Sequence, residues 1–137
     1  MRKILVDSNV ILDIVELDPV WNAWSANALA TCAEDNALVI NPVIYSEVSI
    51  GFATIEEMSE ALPMADFEYA PLPWEAAFLA GKCFLQYRKK GGLKRSPLPD
   101  FFIGAHAAVN KMGLLTRDSR RYRTYFPSVR LICPESQ

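Results

Sequence analysis

Three short, nearly unbroken apolar runs constrain this chain most. They lie at residues 3–6, 37–40 and 114–116, and each stops at polar residues: Asp7-Ser8-Asn9, Asn41-Pro42 and Arg117-Asp118. A strand with one wet face alternates apolar and polar side chains, whereas a run that does not alternate is buried on both faces. Between the runs lie longer segments with helical spacing. Strands of this kind alternating with helices specify an α/β fold, with a mainly parallel sheet flanked by helices on both faces.

The remaining elements follow from local signals. Asp7 or Ser8 caps a first helix reaching about residue 17, before Pro19. A second helix is expected over 20–35, with Trp21, Trp24, Ala28 and Cys32 as a core stripe. Pro42 suits the first turn of a third, about 42–52, because proline there gives up only an N–H that has no helical partner. Thr54 and Glu57 form a capping box for a fourth, about 54–62. The fifth, about 73–90, carries Trp74, Ala77, Phe78, Gly81 and Leu85 on one stripe, read as core or as a face for self-association, and ends at Gly91-Gly92. The sixth, about 98–112, opens at Leu98-Pro99-Asp100 and ends at Gly113. Residues 67–69 form a brief strand or a connection and 128–132 a last strand, for four to five short strands in all.

Length and composition fit this architecture. With 137 residues and 51% of them hydrophobic, the chain makes one domain, 1–137, whose core needs no disulfide staple. Cys32, Cys83 and Cys133 are odd in number and show no C-x-x-C spacing, so they read as reduced thiols of a cytoplasmic protein. The first apolar run is too short for a signal peptide, and no run reaches the roughly 18 residues of a membrane span.

The net charge of −2 conceals a split. Residues 1–81 hold Arg2 and Lys3 against 13 acids, whereas residues 82–130 hold 12 Lys and Arg against only Asp100 and Asp118. An acidic half followed by a basic one points to a polyanionic partner or, more plainly, to solubility.

Four acids stand out against this background. In a parallel sheet, ligands bind beyond the carboxyl ends of the strands. Asp7 follows the first strand directly, Asp118 lies two residues past the third, and Asp100 opens the helix before that strand. Glu47 is the only charged residue between Asn36 and Ile55. Each has a structural reading: Asp7 as an N-cap, Asp100 as a first-turn acid, Glu47 as a helix edge and Asp118 as a turn residue. Gathered at one sheet edge, however, they repel unless protonated or neutralised by cations. Acids that hold metal ions beside Lys and Arg that hold phosphates are what phosphodiester chemistry requires. His106, the only histidine, is read as a structural or surface residue, and Asp13 as a solvated helix acid. No G-x-S-x-G or P-loop pattern is present, which removes the usual basis for a serine hydrolase or an NTPase.

The ordered set Asp7-Ser8-Asn9, Glu47, Leu98-Pro99-Asp100 and Leu114-Leu115-Thr116-Arg117-Asp118 strongly resembles the PIN-domain family, and more closely its VapC-type toxins. The resemblance runs over essentially the whole chain. It implies a metal-dependent endoribonuclease in which Asp7, Glu47, Asp100 and Asp118 ring one or two Mg²⁺ or Mn²⁺ ions. Ser8, Asn9 and Thr116 match the polar residues that orient those ligands. It also implies an RNA substrate, a cognate antitoxin and a homodimer. Lys94, Arg95, Arg117, Arg120 and Arg121 bracket two of the acids and are the expected RNA contacts, while Tyr122, Tyr125 and Phe126 either stack on bases or pack in the core. An RNA-processing nuclease of the same fold, or a non-catalytic nucleic-acid-binding subunit, is the alternative. A phosphoacceptor receiver domain fits less well, since Asp7 has no adjacent acid and no lysine follows Arg130.

Overall fold

The computed structural model describes residues 2–93 and 98–134. Strand β1 (Arg2–Val6) runs through the centre, between β2 (Asn36–Ile40) and β4 (Gly113–Leu115). Two-residue strands, β3 (Glu68–Tyr69) and β5 (Leu131–Ile132), form the edges, giving the order β3-β2-β1-β4-β5. Every pairing is parallel. Ile4, Leu5 and Val6 are consecutive and all fully buried, so both faces of the sheet are covered.

Seven helices flank these five strands among the described residues. Helix α1 (Ser8–Val15) packs on α2 (Asn22–Asp35), and α5 (Trp74–Lys89) packs on α6 (Pro99–Val109). Helix α3 (Pro42–Ser49) touches both α1 and α6, and α4 (Ile55–Ala61) follows it in the chain. Local chemistry places the helix starts. The Asn41 side chain accepts from Ile44 N at 2.9 Å, ahead of Pro42 in the first turn of α3. Thr54 Oγ1 accepts from Glu57 N at 3.2 Å, while the Glu57 carboxylate reaches back to Ala53 N.

Four expectations need correction. The last strand is confined to 131–132. Helix α6 stops at Val109, and the left-handed turn falls on Lys111 (φ 55°) rather than at Gly113. Gly113 is instead the first residue of β4, where a Cβ would stand 2.8 Å from Ile4 Cδ1. On α5 the apolar stripe faces outward: Trp74 is 88% and Phe78 68% exposed, while Ala76, Ala80 and Cys83 form the buried face. Both stripes satisfy the helical period, and the one with smaller side chains lets α6 approach. Finally, a short helix with no anticipated counterpart, α7 (Arg120–Tyr125), packs on α6. Its contact is close, since a Cβ on Gly104 of α6 would lie 2.3 Å from the Phe126 ring.

Candidate active site

Sheet pairing sets the first acid. The Asp7 N–H donates to Leu115 O at 2.9 Å, carrying the β1–β4 ladder one residue past β1. Asp7 then caps α1, with its Oδ1 accepting from Ser8 N at 2.7 Å, and the residue is only 3% exposed. Its other oxygen, Oδ2, accepts from Thr116 Oγ1 at 2.9 Å and from the Tyr122 hydroxyl at 2.8 Å.

Three hydroxyls contact Asp7; two of them also approach a second carboxylate, and the third holds the backbone of Asp118. Ser8 Oγ lies 3.4 Å from Asp7 Oδ1 and donates to Glu47 Oε1 at 2.9 Å. Tyr122 OH lies 3.4 Å from Asp100 Oδ1. Thr116 Oγ1 accepts from Asp118 N at 3.1 Å and so ties down the turn that carries Asp118. Asn9 straps the same turn: its Nδ2 donates to Thr116 Oγ1 at 3.3 Å and its Oδ1 accepts from Arg117 N at 3.1 Å. Thus Asp7, Glu47, Asp100 and Asp118, which come from four separate stretches of chain, belong to one hydrogen-bonded set that includes Ser8, Asn9 and Thr116.

The set concentrates negative charge, offset at Asp100 by Arg121. Burial first, then the neighbouring Asp100 and Glu47 carboxylates, raise the Asp7 pKa to about 6 from an ordinary 3.8, against the lowering effect of Tyr122 and Thr116. Glu47 is raised by burial and by Asp100. Asp100 is raised by burial and by Asp118, with Arg121 opposing. Burial and the adjacent Asp7 and Asp100 push the Tyr122 phenol well above its usual range, so it stays protonated and donates.

The basic residues divide. Arg120 and Arg121 border an open groove of about 400 Å³ together with Asp100, Asp118, Tyr87 and Tyr125. Arg121 Nη1 lies 3.4 Å from Asp100 Oδ2. Arg117 turns the other way: its Nε and Nη2 donate to Asp13 at 2.9 and 3.0 Å, and its guanidinium sits over the Trp21 ring. Asp13, expected to be solvated, is therefore 2% exposed and also accepts from Ser25 Oγ at 2.7 Å. Arg117 is used structurally in this arrangement. Lys94 and Arg95 lie outside the described residues. His106 is fully buried, its Nδ1 bonded to Asn41 Nδ2 at 3.0 Å, which is the structural role expected of it. Tyr125 and Phe126 pack against the core; Tyr125 meets Phe101 at 5.2 Å between ring centroids.

Tyr122 was not recognisable in advance as part of the acid set. The available signal was its position four residues past Asp118, one helical turn on, and it depended on α7 being seen.

The family model of the PIN domain matches residues 4–127. The chain belongs to the PIN-domain family. No curated protein matches the chain significantly. Among solved structures, it resembles a chain of VapBC2 from Rickettsia felis bound to a promoter DNA fragment, with a TM-score of 0.73 at 17% identity over 97% of this chain and 99% of that one. VapBC-1 from nontypeable Haemophilus influenzae gives 0.71 at 16% identity, covering 96% and 97%. VapBC-5 from Mycobacterium tuberculosis, a member of the VapBC family of toxin–antitoxin systems, gives 0.61 at 21%, covering 98% and 100%.

The PIN family implies a divalent cation, and the residues of this PIN domain fit one. The donors are carboxylate oxygens, the ligand type of hard divalent ions. The raised carboxyl groups mark a charge cluster that a cation would relieve. Among the described residues no three His, Cys, Asp or Glu side chains converge into a ready-made metal cage. An ion that keeps several of its waters tolerates so open a site. No helix among the described residues is long and apolar enough to cross a membrane.

Proposed function

We propose that this protein is a metal-dependent endoribonuclease of the VapC type, the toxin of a toxin–antitoxin pair. The observation that carries this reading is the gathering at the carboxyl edge of a PIN sheet of Asp7, Glu47 and Asp100, joined by the Ser8 and Tyr122 hydroxyls, with Asp118 held beside them by its backbone bond to Thr116. Asp7, Glu47, Asp100 and Asp118 would hold Mg²⁺ or Mn²⁺. When bound, such an ion activates water and offsets the charge that grows on the scissile phosphate.

The chain's own residues do the rest. Ser8 and Thr116 orient the carboxylates by donating to them, and Asn9 holds the turn between Thr116 and Asp118. A carboxylate of the set would serve as general base for the attacking water. Arg120 and Arg121, at the open groove, meet the flanking phosphates. Lys94 and Arg95 remain assigned to RNA on the sequence alone. The VapBC relatives support an antitoxin as partner. The exposed Trp74 and Phe78 stripe of α5 supports a homodimer, because apolar area of this kind is commonly covered in an assembly.

The test is cleavage of RNA by the purified protein with Mg²⁺ or Mn²⁺. Activity should disappear in Asp7→Ala and in Asp100→Ala, and cleavage that persists in excess chelator overturns the reading. Induced expression should arrest growth in the wild type and spare it in Asp7→Ala.

A further inference from the structure

Of the three hydroxyls that contact Asp7, those of Ser8 and Thr116 adjoin strand ends, where functional residues of a parallel sheet are expected. The third does not. Tyr122 comes from α7, a helix of six residues that packs on α6. Its side chain is 1% exposed, and its hydroxyl ends between two carboxylates, 2.8 Å from Asp7 Oδ2 and 3.4 Å from Asp100 Oδ1.

A phenol has one hydrogen to donate. The distances assign it to Asp7, and the oxygen that carries it faces Asp100. Asp7 stands at the end of β1 and Asp100 in the first turn of α6, so the two acids belong to different elements. No other side chain among the described hydrogen bonds touches both carboxylates. Burying a hydroxyl beside two acids is costly unless the bond made there matters, and a phenylalanine would fill the same space without it.

We propose that Tyr122 is a positioning residue of the acid site, whose buried hydroxyl holds the Asp7 carboxylate through the 2.8 Å bond to Oδ2 and thereby sets the affinity for the divalent ion. The proposal rests on the nuclease reading above only in assuming that the acids bind such an ion. Groups that orient metal-binding carboxylates typically influence metal affinity by about 10- to 100-fold.

The test compares the wild-type chain with Tyr122→Phe, which keeps the ring and removes only the hydroxyl. Mn²⁺ binding is followed by calorimetry and RNA cleavage across a Mn²⁺ titration. Tyr122→Phe should bind Mn²⁺ about 10- to 100-fold more weakly, and its cleavage deficit at limiting Mn²⁺ should close at saturating Mn²⁺. A purely structural role would lower the melting temperature without moving the Mn²⁺ dependence. Equal Mn²⁺ affinity in the two proteins overturns the proposal while leaving the metal site standing. A wild type that binds no Mn²⁺ overturns both. If Tyr122→Phe does not fold, wild-type protein carrying 3-fluorotyrosine decides the matter. Of the five tyrosines only Tyr122 is fully buried, so its fluorine resonance is the one shielded from a soluble relaxation agent. Mg²⁺ should shift that resonance, and a resonance that stays fixed through the titration overturns the proposal.

Discussion

The inner and outer halves of the acid site are built differently. Inside, Asp7, Thr116 and Tyr122 are each no more than 3% exposed, and Thr116 and Tyr122 both donate to Asp7 Oδ2, at 2.9 and 2.8 Å. Outside, Asp118 is exposed, and Asp100 meets Arg121 and Tyr122 only at 3.4 Å. The inner half is preorganised by the fold, and the outer half is left free to exchange partners. The proposed uptake of an ion and a phosphodiester would use both: fixed ligands that lose little entropy on binding, and a rim that solvent and substrate can reach.

The largest effect on stability should come from the innermost ion pair. Asp13→Ala leaves the Arg117 guanidinium without its carboxylate, and breaking a buried pair costs about 3–5 kcal/mol. Arg117 keeps some exposure, so the lower end of that range applies, measured by urea unfolding of metal-stripped protein. A cost below about 1 kcal/mol, the range of a surface pair, would place Asp13 with the rim instead.

The next effect is a pH dependence specific to Asp7. Its folded pKa of about 6 lies above the ordinary 3.8, so folding favours the protonated acid. The stability this confers is complete below the unfolded value and is lost as pH rises through the folded one. Without metal, wild type should therefore lose about 2.5 kcal/mol relative to Asp7→Asn as pH goes from about 4 to about 7. A difference that stays flat across this window would mean that the inner half is better solvated than its burial indicates.

The smallest effect belongs to the rim. Asp118→Asn should change stability by no more than about 0.5 kcal/mol, as at other exposed positions. A markedly larger loss in urea unfolding would show that the outer half is as tightly built as the inner one, and the contrast would collapse.

Much of this was legible in the chain. An apolar run buried on both faces has few homes other than a parallel sheet, and residues just past such runs necessarily sit at its carboxyl edge. Asp7 and Asp118 could therefore be placed at that edge from local pattern, whereas Ser8, Asn9 and Thr116 entered through the resemblance to the PIN family. Glu47 was visible as a lone acid in an uncharged stretch, and Asp100 as a first-turn acid after proline. Burial on α5 was not legible, because two stripes satisfy the same period and only close approach of α6 selects Ala76, Ala80 and Cys83. Arg117 shows the same limit: it reads as one more phosphate contact until folding brings Asp13, 104 residues away, to its guanidinium.

The strand runs, taken as sequence, thus dictate the sheet and put Asp7 and Asp118 at its carboxyl edge. That is so because backbone periodicity and strand-end position are local properties. Which side chains are neutralised, buried or strapped together is not local. Asp13 with Arg117, and Tyr122 with Asp7 across 115 residues, acquire their roles only when helices pack and water is excluded around them. Desolvation is what turns an ordinary aspartate and an ordinary tyrosine into a strongly coupled pair, and no stretch of sequence carries it.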